Sequence, residues 1–200
     1  MAVEREIDLV EKLVDRDVVH SSKYLTYVRD TIETADGERR TREVVIHPGA
    51  VTVVAVLPDG QLLLVRQYRH PADKVMLELP AGTLDRLPDG SLEDPLDAAQ
   101  RELFEETGYR ASKWRRLATF FTAPGFATER MSLFLATDVY PDESYEGPEA
   151  DERLILEKLP FADAMARVKR DEVDDAKTLV GLYALEALVR AGEIAELREA

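Results

Sequence analysis

Short apolar blocks, broken at Gly, Pro and Asp, run through most of the chain, and helical spacing takes over near residue 95 and again from about residue 160. From His20 to His47 the pattern predicts short strands joined at Ala35-Asp36-Gly37. After Pro48-Gly49, "AVTVVAVLPDGQLLLVRQYR" reads as a hairpin of two apolar strands about Pro58-Asp59-Gly60. "VMLELPAG" is a further strand, ending in a loop at Pro80-Ala81-Gly82. Helix signals then coincide: Asp94 as N-cap, Pro95 at the first helical position, Asp97 in the first turn and Gly108 just past the end predict a helix over 95–107. "WRRLATFFT" and "MSLFLATDV" read as strands around Pro124-Gly125, "RLILEKL" as a last strand, and 160–170 and 175–190 as closing helices. The order is α+β, with strands before and after one central helix.

Composition narrows the setting. At 200 residues the chain has room for one domain with a sizeable core, and 45% hydrophobic with 33% charged residues is the balance of a folded soluble protein. No apolar run approaches the roughly 20 residues of a membrane helix. "MAVEREIDLV" carries charge where a secretory signal has its apolar core, and with no cysteine there is no disulfide or thiolate chemistry, so a cytoplasmic location is expected. A net charge of −14 argues against nucleic-acid or anionic-membrane binding. It also means that an anionic substrate needs local arginines or bound cations.

The helix over 95–107 can be read by face. Leu96, Ala99 and Leu103 form the predicted buried stripe. Glu102 and Glu106 stand one turn apart and repel. Arg101 can pair with Glu105 at i+4, whereas neither Glu102 nor Glu106 has a cation four residues away within the helix. Stacked carboxylates of this kind suit a hard divalent cation, since Mg²⁺ and Mn²⁺ prefer oxygen ligands. A solvated Glu-rich helix is the competing reading in a chain with 40 acidic residues.

The wider pattern decides between them. "GTLDRLPDGSLEDPLDAAQRELFEETGY" resembles the Nudix box, G-x5-E-x7-R-E-U-x-E-E-x-G-U with U a bulky apolar residue, through Gly82, Glu93, Arg101, Glu102, Leu103, Glu105, Glu106, Gly108 and Tyr109. One departure is visible: Gly82 precedes Glu93 by eleven positions where the pattern has six, which places a five-residue insertion around Arg86-Leu87-Pro88-Asp89-Gly90. "LLLVRQYRHP", "LELPAG", "TAPGFATERMSLFLA" and "DDAKTLVGLYAL" extend the resemblance, most closely to the ADP-ribose pyrophosphatase branch of the Nudix hydrolases.

That resemblance implies an α/β/α sandwich around a mixed β-sheet, with residues 1–47 as an N-terminal antiparallel β segment that helps build a homodimer and 48–200 as the hydrolase domain. It implies hydrolysis of ADP-ribose to AMP and ribose 5-phosphate with Mg²⁺ or Mn²⁺. Glu102, Glu106 and the Ala81 carbonyl are the implied metal ligands, and Glu105 shares the cluster. Arg101 and Glu93 are expected to be structural, the latter capping or bracing the helix start, and Gly82 and Gly108 belong to the motif. In the acidic stretch "PDESYEGPEADE", Glu149 and Glu152 are candidates for a catalytic glutamate, with Glu152 preferred at the start of the last strand. Arg69 resembles a phosphate-contacting arginine and Arg66 is a second candidate, although period-2 alternation puts them on opposite strand faces. Glu129 resembles a contact to the terminal ribose, and Tyr24 and Tyr27 are the aromatic residues available to stack on adenine.

Other chemistries find little support. His20, His47 and His70 are scattered, no glycine precedes a lysine as in a P-loop, and the pattern GxGxxG is absent. Two rival functions stand: hydrolysis of another nucleoside diphosphate sugar such as GDP-mannose, and a non-catalytic nucleotide-sugar-binding or regulatory domain.

Overall fold

The computed structural model describes residues 9–147, 153–194 and 197. These form two compact units, one comprising the described residues up to Gly49 with Phe121–Arg130, the other Ala50–Phe120 with the described residues from Met131 onward.

In the first unit, strands β1 (Lys12–Ser21), β2 (Thr26–Glu33) and β3 (Arg39–Ile46) form an antiparallel sheet in chain order. The hairpin between β2 and β3 turns at Thr34–Gly37, where the Gly37 N–H donates to the Thr34 carbonyl with Gly37 at φ 81°. Val28 and Ile32 are its buried apolar residues. Strand β1 falls inside the expected N-terminal β segment, but the hydropathy pattern marked strands only from His20 onward, and the pairing explains why. The register slips at Val14 and again at Val19, so each bulge reverses the facing of the residues after it and removes the alternation that would have marked a strand. Every residue of β1 is exposed, and Arg16 fastens it through two 2.7 Å hydrogen bonds to the buried Asp30.

The second unit is built on a seven-stranded mixed sheet. Strands β4 (Ala50–Val56), β5 (Gln61–Arg69), β6 (Lys74–Glu78), β7 (Ala81–Thr83), β8 (Tyr109–Phe121), β9 (Arg130–Pro141) and β10 (Leu154–Pro160) follow the spatial order β10-β5-β4-β9-β8, with β6 on β5 and β7 on β4. β4 runs parallel to β9 and antiparallel to β5. All of β4 is buried, and its alternate residues serve two cores. Val51, Val53 and Ala55 meet Ala98, Ala99 and Leu103 of helix α1 (Pro95–Thr107), while Val54 and Val56 join Met165 of α2 (Phe161–Lys169) and Leu182 and Leu185 of α3 (Ala176–Arg190). This is the expected α/β/α sandwich. Along α1 the stripe is Ala98, Ala99 and Leu103, with Leu96 only partly buried against it.

The insertion before α1 is a small ordered hairpin. Gly90 donates to the Leu87 carbonyl at 2.8 Å, Leu87 to Ser91 at 2.9 Å, and Arg86 bridges Leu92. The hairpin at Pro58-Asp59-Gly60 repeats this bonding, and in both loops the aspartate side chain accepts the backbone N–H two residues on. The five added residues therefore close on themselves and return Glu93 to α1.

Both ends of α1 are fixed. The Asp94 carboxylate accepts the Leu96 N–H at 2.8 Å, Pro95 opens the helix, and Gly108 closes it at φ 73° with its N–H on the Phe104 carbonyl. Gly108 is needed twice, because a Cβ there would also fall 2.4 Å from the ring of Tyr145. The Tyr145 hydroxyl donates to the Glu105 carbonyl at 2.9 Å, its ring meets Phe104 edge-on, and Arg110 lies over Phe104 while donating to Asp142 at 2.5 Å.

Arg110, helped by Ser144, holds the Asp142 carboxyl at about 2, below its ordinary value. A depressed carboxylate contributes stability above its unfolded pKa, and that contribution is lost as pH falls through the folded value. Carboxyl NMR should therefore find Asp142 titrating near pH 2 and, in Arg110→Ala, moving back toward the usual carboxylate range; a midpoint near 4 in the unaltered protein would contradict the pairing. A second expectation concerns α3, where a Cβ on Gly181 would stand 2.3 Å from Leu79 Cδ1 and 3.1 Å from Val54 Cγ2, both side chains fully buried. Gly181→Ala gains about 1 kcal/mol of helix propensity but overpacks the core by about 1–3 kcal/mol. Denaturant unfolding should show a net loss of up to about 2 kcal/mol, and a stabilised protein would show that the helix can lift at no cost.

Candidate active site

α1 and β7 face each other closely enough to define a site. β7 pairs with β4, with Gly82 opposite Val51, and a Cβ on Gly82 would lie 1.9 Å from Glu102 Oε1. Glycine is what lets a helix carboxylate lie against this strand. One turn on, Glu106 accepts the Ala81 N–H at 3.0 Å. Both carboxylates are withdrawn from solvent, Glu102 at 7% and Glu106 at 3% exposure.

Arg101 organises the negative charge around them. Its Nε and Nη2 hold Glu93 at 3.1 and 2.8 Å, Nη2 also reaches the Thr83 carbonyl at 3.2 Å, and Nη1 donates to Glu102 at 2.7 Å and Glu105 at 2.9 Å. All five guanidinium N–H groups are thus engaged. The Arg101–Glu105 pair matches the i+4 expectation. Glu102, which has no cation four residues away, is instead served by Arg101 at the preceding position. Helix spacing concealed this because the long Arg101 side chain is drawn by Glu93 to the loop side, where it passes the neighbouring glutamate. Glu93 braces the helix from outside, with Asp94 acting as the cap. Arg101 lowers the Glu93 carboxyl pKa, and Glu93 foremost among the three glutamates raises that of Arg101.

The substrate-binding candidates go to different places. Arg69 donates from Nε and Nη2 to Glu78, 2.7 Å each, and Glu106 lies within its electrostatic reach. Arg66 donates to Glu157 at 2.5 Å, a carboxylate shared with Arg167 of α2 on the side away from α1. Glu129 belongs to the first unit, where Thr122 donates to it and His47 Nε2 stands 3.4 Å away. Tyr24 is half exposed beneath Lys23, and Tyr27 is partly buried in β2. Glu149 and Glu152 lie outside the described residues.

The donor chemistry fits a hard divalent cation. Glu102 and Glu106 are shielded oxygen donors on one helix face beside the strand carrying the Ala81 carbonyl, and Glu93, Glu102 and Glu105 together exceed the single charge of Arg101 that binds them. Among the described residues no three His, Asp or Glu side chains converge as a closed metal cage.

Three further residues escaped sequence reasoning. Glu78 is 1% exposed, and Lys177 bonds it from the first turn of α3. Burial by itself would raise the Glu78 carboxyl, but Arg69 and Lys177 reverse this and hold it below the ordinary range. Tyr145 is the third, gripping the end of α1. A charged residue inside apolar "VMLELP" was the available signal for Glu78; Lys177 and Tyr145 gave none.

A NUDIX domain model matches residues 46–182. An ADP-ribose pyrophosphatase of Bacillus subtilis (strain 168) is 36% identical over 178 residues, covering 89% of this chain and 94% of the relative. A methanol dehydrogenase activator of Bacillus methanolicus is 35% identical over 176 residues, covering 88% and 92%. A solved ADP compounds hydrolase superposes with a TM-score of 0.77 at 26% identity, covering 92% of this chain and 97% of its own. With the motif helix, its strand partner and the two-faced mixed sheet in place, the chain belongs to the Nudix family.

Proposed function

We propose that the protein is a divalent-cation-dependent pyrophosphatase that hydrolyses ADP-ribose to AMP and ribose 5-phosphate. The observation that carries this reading is the pair of buried glutamates, Glu102 and Glu106, set against Ala81 and Gly82, with Arg69 within electrostatic reach of Glu106. The similarity to the Bacillus subtilis ADP-ribose pyrophosphatase supports the substrate. Glu102, Glu106 and the Ala81 carbonyl would hold Mg²⁺ or Mn²⁺, with Glu105 in the same cluster; such a cation neutralises diphosphate oxygens and acidifies a water. Arg69 binds the diphosphate and orients it. A glutamate, Glu152 in preference to Glu149, takes the proton of the attacking water as the water oxygen bonds to phosphorus and the bridging P–O bond breaks. Glu129 is assigned to the terminal ribose on resemblance; Arg66, the second candidate for the diphosphate, is bound to Glu157 on the side away from α1 and is given no substrate contact. A cysteine-free chain acting on such a substrate suits the cytoplasm, and no helix among the described residues is long and apolar enough to cross a membrane.

A second reading, a regulatory nucleotide-sugar-binding domain, is favoured by the similarity to the methanol dehydrogenase activator. It predicts binding without turnover.

Product analysis on ADP-ribose, GDP-mannose, NADH and diadenosine polyphosphates, with Mg²⁺ or Mn²⁺ and with chelator, separates these. AMP release led by ADP-ribose and abolished by chelator is the expected result. Glu106→Gln should lose on the order of 100-fold or more in kcat with the fold intact, and Glu152→Gln should lower kcat more than Glu149→Gln. Ligand binding without hydrolysis of any panel member would favour the regulatory reading instead.

We also propose a homodimer built through the N-terminal β segment. β1 is an edge strand with Leu13, Val14, Val18 and Val19 all exposed, an apolar edge of the kind a second chain covers. Sedimentation should report a dimer at micromolar concentration and a shift toward monomer in Val18→Lys; a monomer in the unaltered protein would rule the proposal out.

A further inference from the structure

Glu78 and Lys177 are buried charges to which the reaction above gives no role. Glu78 ends β6, and its carboxylate takes Arg69 Nε and Nη2 on one side and Lys177 on the other. Lys177 is also 3.0 Å from Asp175, whose other oxygen accepts the Thr178 N–H at 2.9 Å and so caps α3. The Thr178 hydroxyl accepts the Leu79 N–H at 2.8 Å. The first turn of α3 is thereby stitched to two consecutive residues, Glu78 and Leu79. Two cations and two carboxylates balance, so the cluster holds without drawing charge from its surroundings.

The arrangement leaves one group partly unused. Arg69 docks on Glu78 by its side edge, which commits two of its five N–H donors; the two on Nη1 and the second on Nη2 make no hydrogen bond among the described residues. Its side chain is 40% exposed although its partner is 1% exposed. A half-exposed arginine ordinarily extends into water and samples many rotamers. Here two charge-assisted bonds to an immobile carboxylate fix the guanidinium plane, and Lys177 fixes the carboxylate. Of the three remaining donors, one on each terminal nitrogen forms an end-on fork of the shape that grips a phosphate. Ordering before binding lowers the entropic cost of capture.

We propose that Glu78 and Lys177 are positioning residues for Arg69, holding its guanidinium so that the outer fork meets the substrate diphosphate. This rests on the assignment of Arg69 to diphosphate binding made above. The strand end and the first turn of α3 thus contribute to substrate affinity without touching substrate.

The test is a double-mutant cycle on the full chain, using Glu78→Gln, Arg69→Ala and the double variant, with Lys177→Met alongside and thermal unfolding to confirm the fold. Two measurements are made: steady-state kinetics giving kcat and KM for ADP-ribose with Mg²⁺, and calorimetry giving the Kd of inorganic pyrophosphate. Loss of one charge-assisted pair corresponds to about a tenfold weakening. Glu78→Gln should raise both KM and Kd about tenfold with kcat within about threefold, Lys177→Met should move them the same way, and Glu78→Gln should add less than about twofold once Arg69 is absent. Equal effects with and without Arg69 would show a merely structural role and overturn the proposal, as would an unchanged KM and Kd. If Glu78→Gln does not fold, Lys177→Met and Glu78→Asp carry the cycle, Glu78→Asp being expected to retain part of the affinity. An unaltered protein that binds pyrophosphate but ignores ADP-ribose would refute the substrate assignment while the cycle on Kd still tests the positioning. No pyrophosphate binding at all would refute both.

Discussion

Like charge gathered on one face of a helix is the constraint around which this protein is arranged. Two carboxylates one turn apart at an effective dielectric near 20 repel by roughly 3 kcal/mol, and burying them adds a desolvation cost. Arg101 meets part of that cost by spending all five donors on Glu93, Glu102, Glu105 and the Thr83 carbonyl. The surroundings follow from the same constraint. Gly82 is bare so that Glu102 can lie against β7, the Ala81 N–H serves Glu106, and Asp94, Gly108 and Tyr145 hold both ends of the helix. The surplus of negative charge left after Arg101 is what makes a bound cation the natural completion of the site.

A second charged cluster bears on the proposed substrate. In a chain of net charge −14, an anionic substrate needs a cation that is not consumed by its acidic neighbours. Glu78 takes only one edge of Arg69, and Lys177 supplies the balancing charge to Glu78 from α3. Arg101 and Arg69 thus divide the work. The first is saturated by carboxylates and fixes the helix, while the second commits one edge to Glu78 and lies within electrostatic reach of Glu106.

Legibility in the sequence followed the range of the interactions. α1 could be bounded to the residue because its caps are local: Asp94, Pro95 and Gly108 act on atoms a few positions away. The β4–β5 hairpin and the inserted loop were readable for the same reason, each turning on Pro-Asp-Gly. β1 was not, because two bulges erased its alternation. The candidate site was legible as far as the motif places Glu102, Glu105 and Glu106 together on one helix, but the Arg101–Glu102 contact depends on Glu93 redirecting a flexible side chain. Lys177 lies 99 positions from Glu78, and no periodicity links a helix start to a strand end at that distance.

A divalent-cation site formed by the α1 glutamates would show itself when Mn²⁺ is titrated into the protein while the electron paramagnetic resonance signal of the free ion is followed. The protein should take Mn²⁺ out of solution, Mg²⁺ should compete for the site, and Glu102→Gln/Glu106→Gln should lose this binding while keeping its fold. Mn²⁺ binding that is unchanged in the double variant would place the cation elsewhere and rule out the α1 glutamates as its ligands.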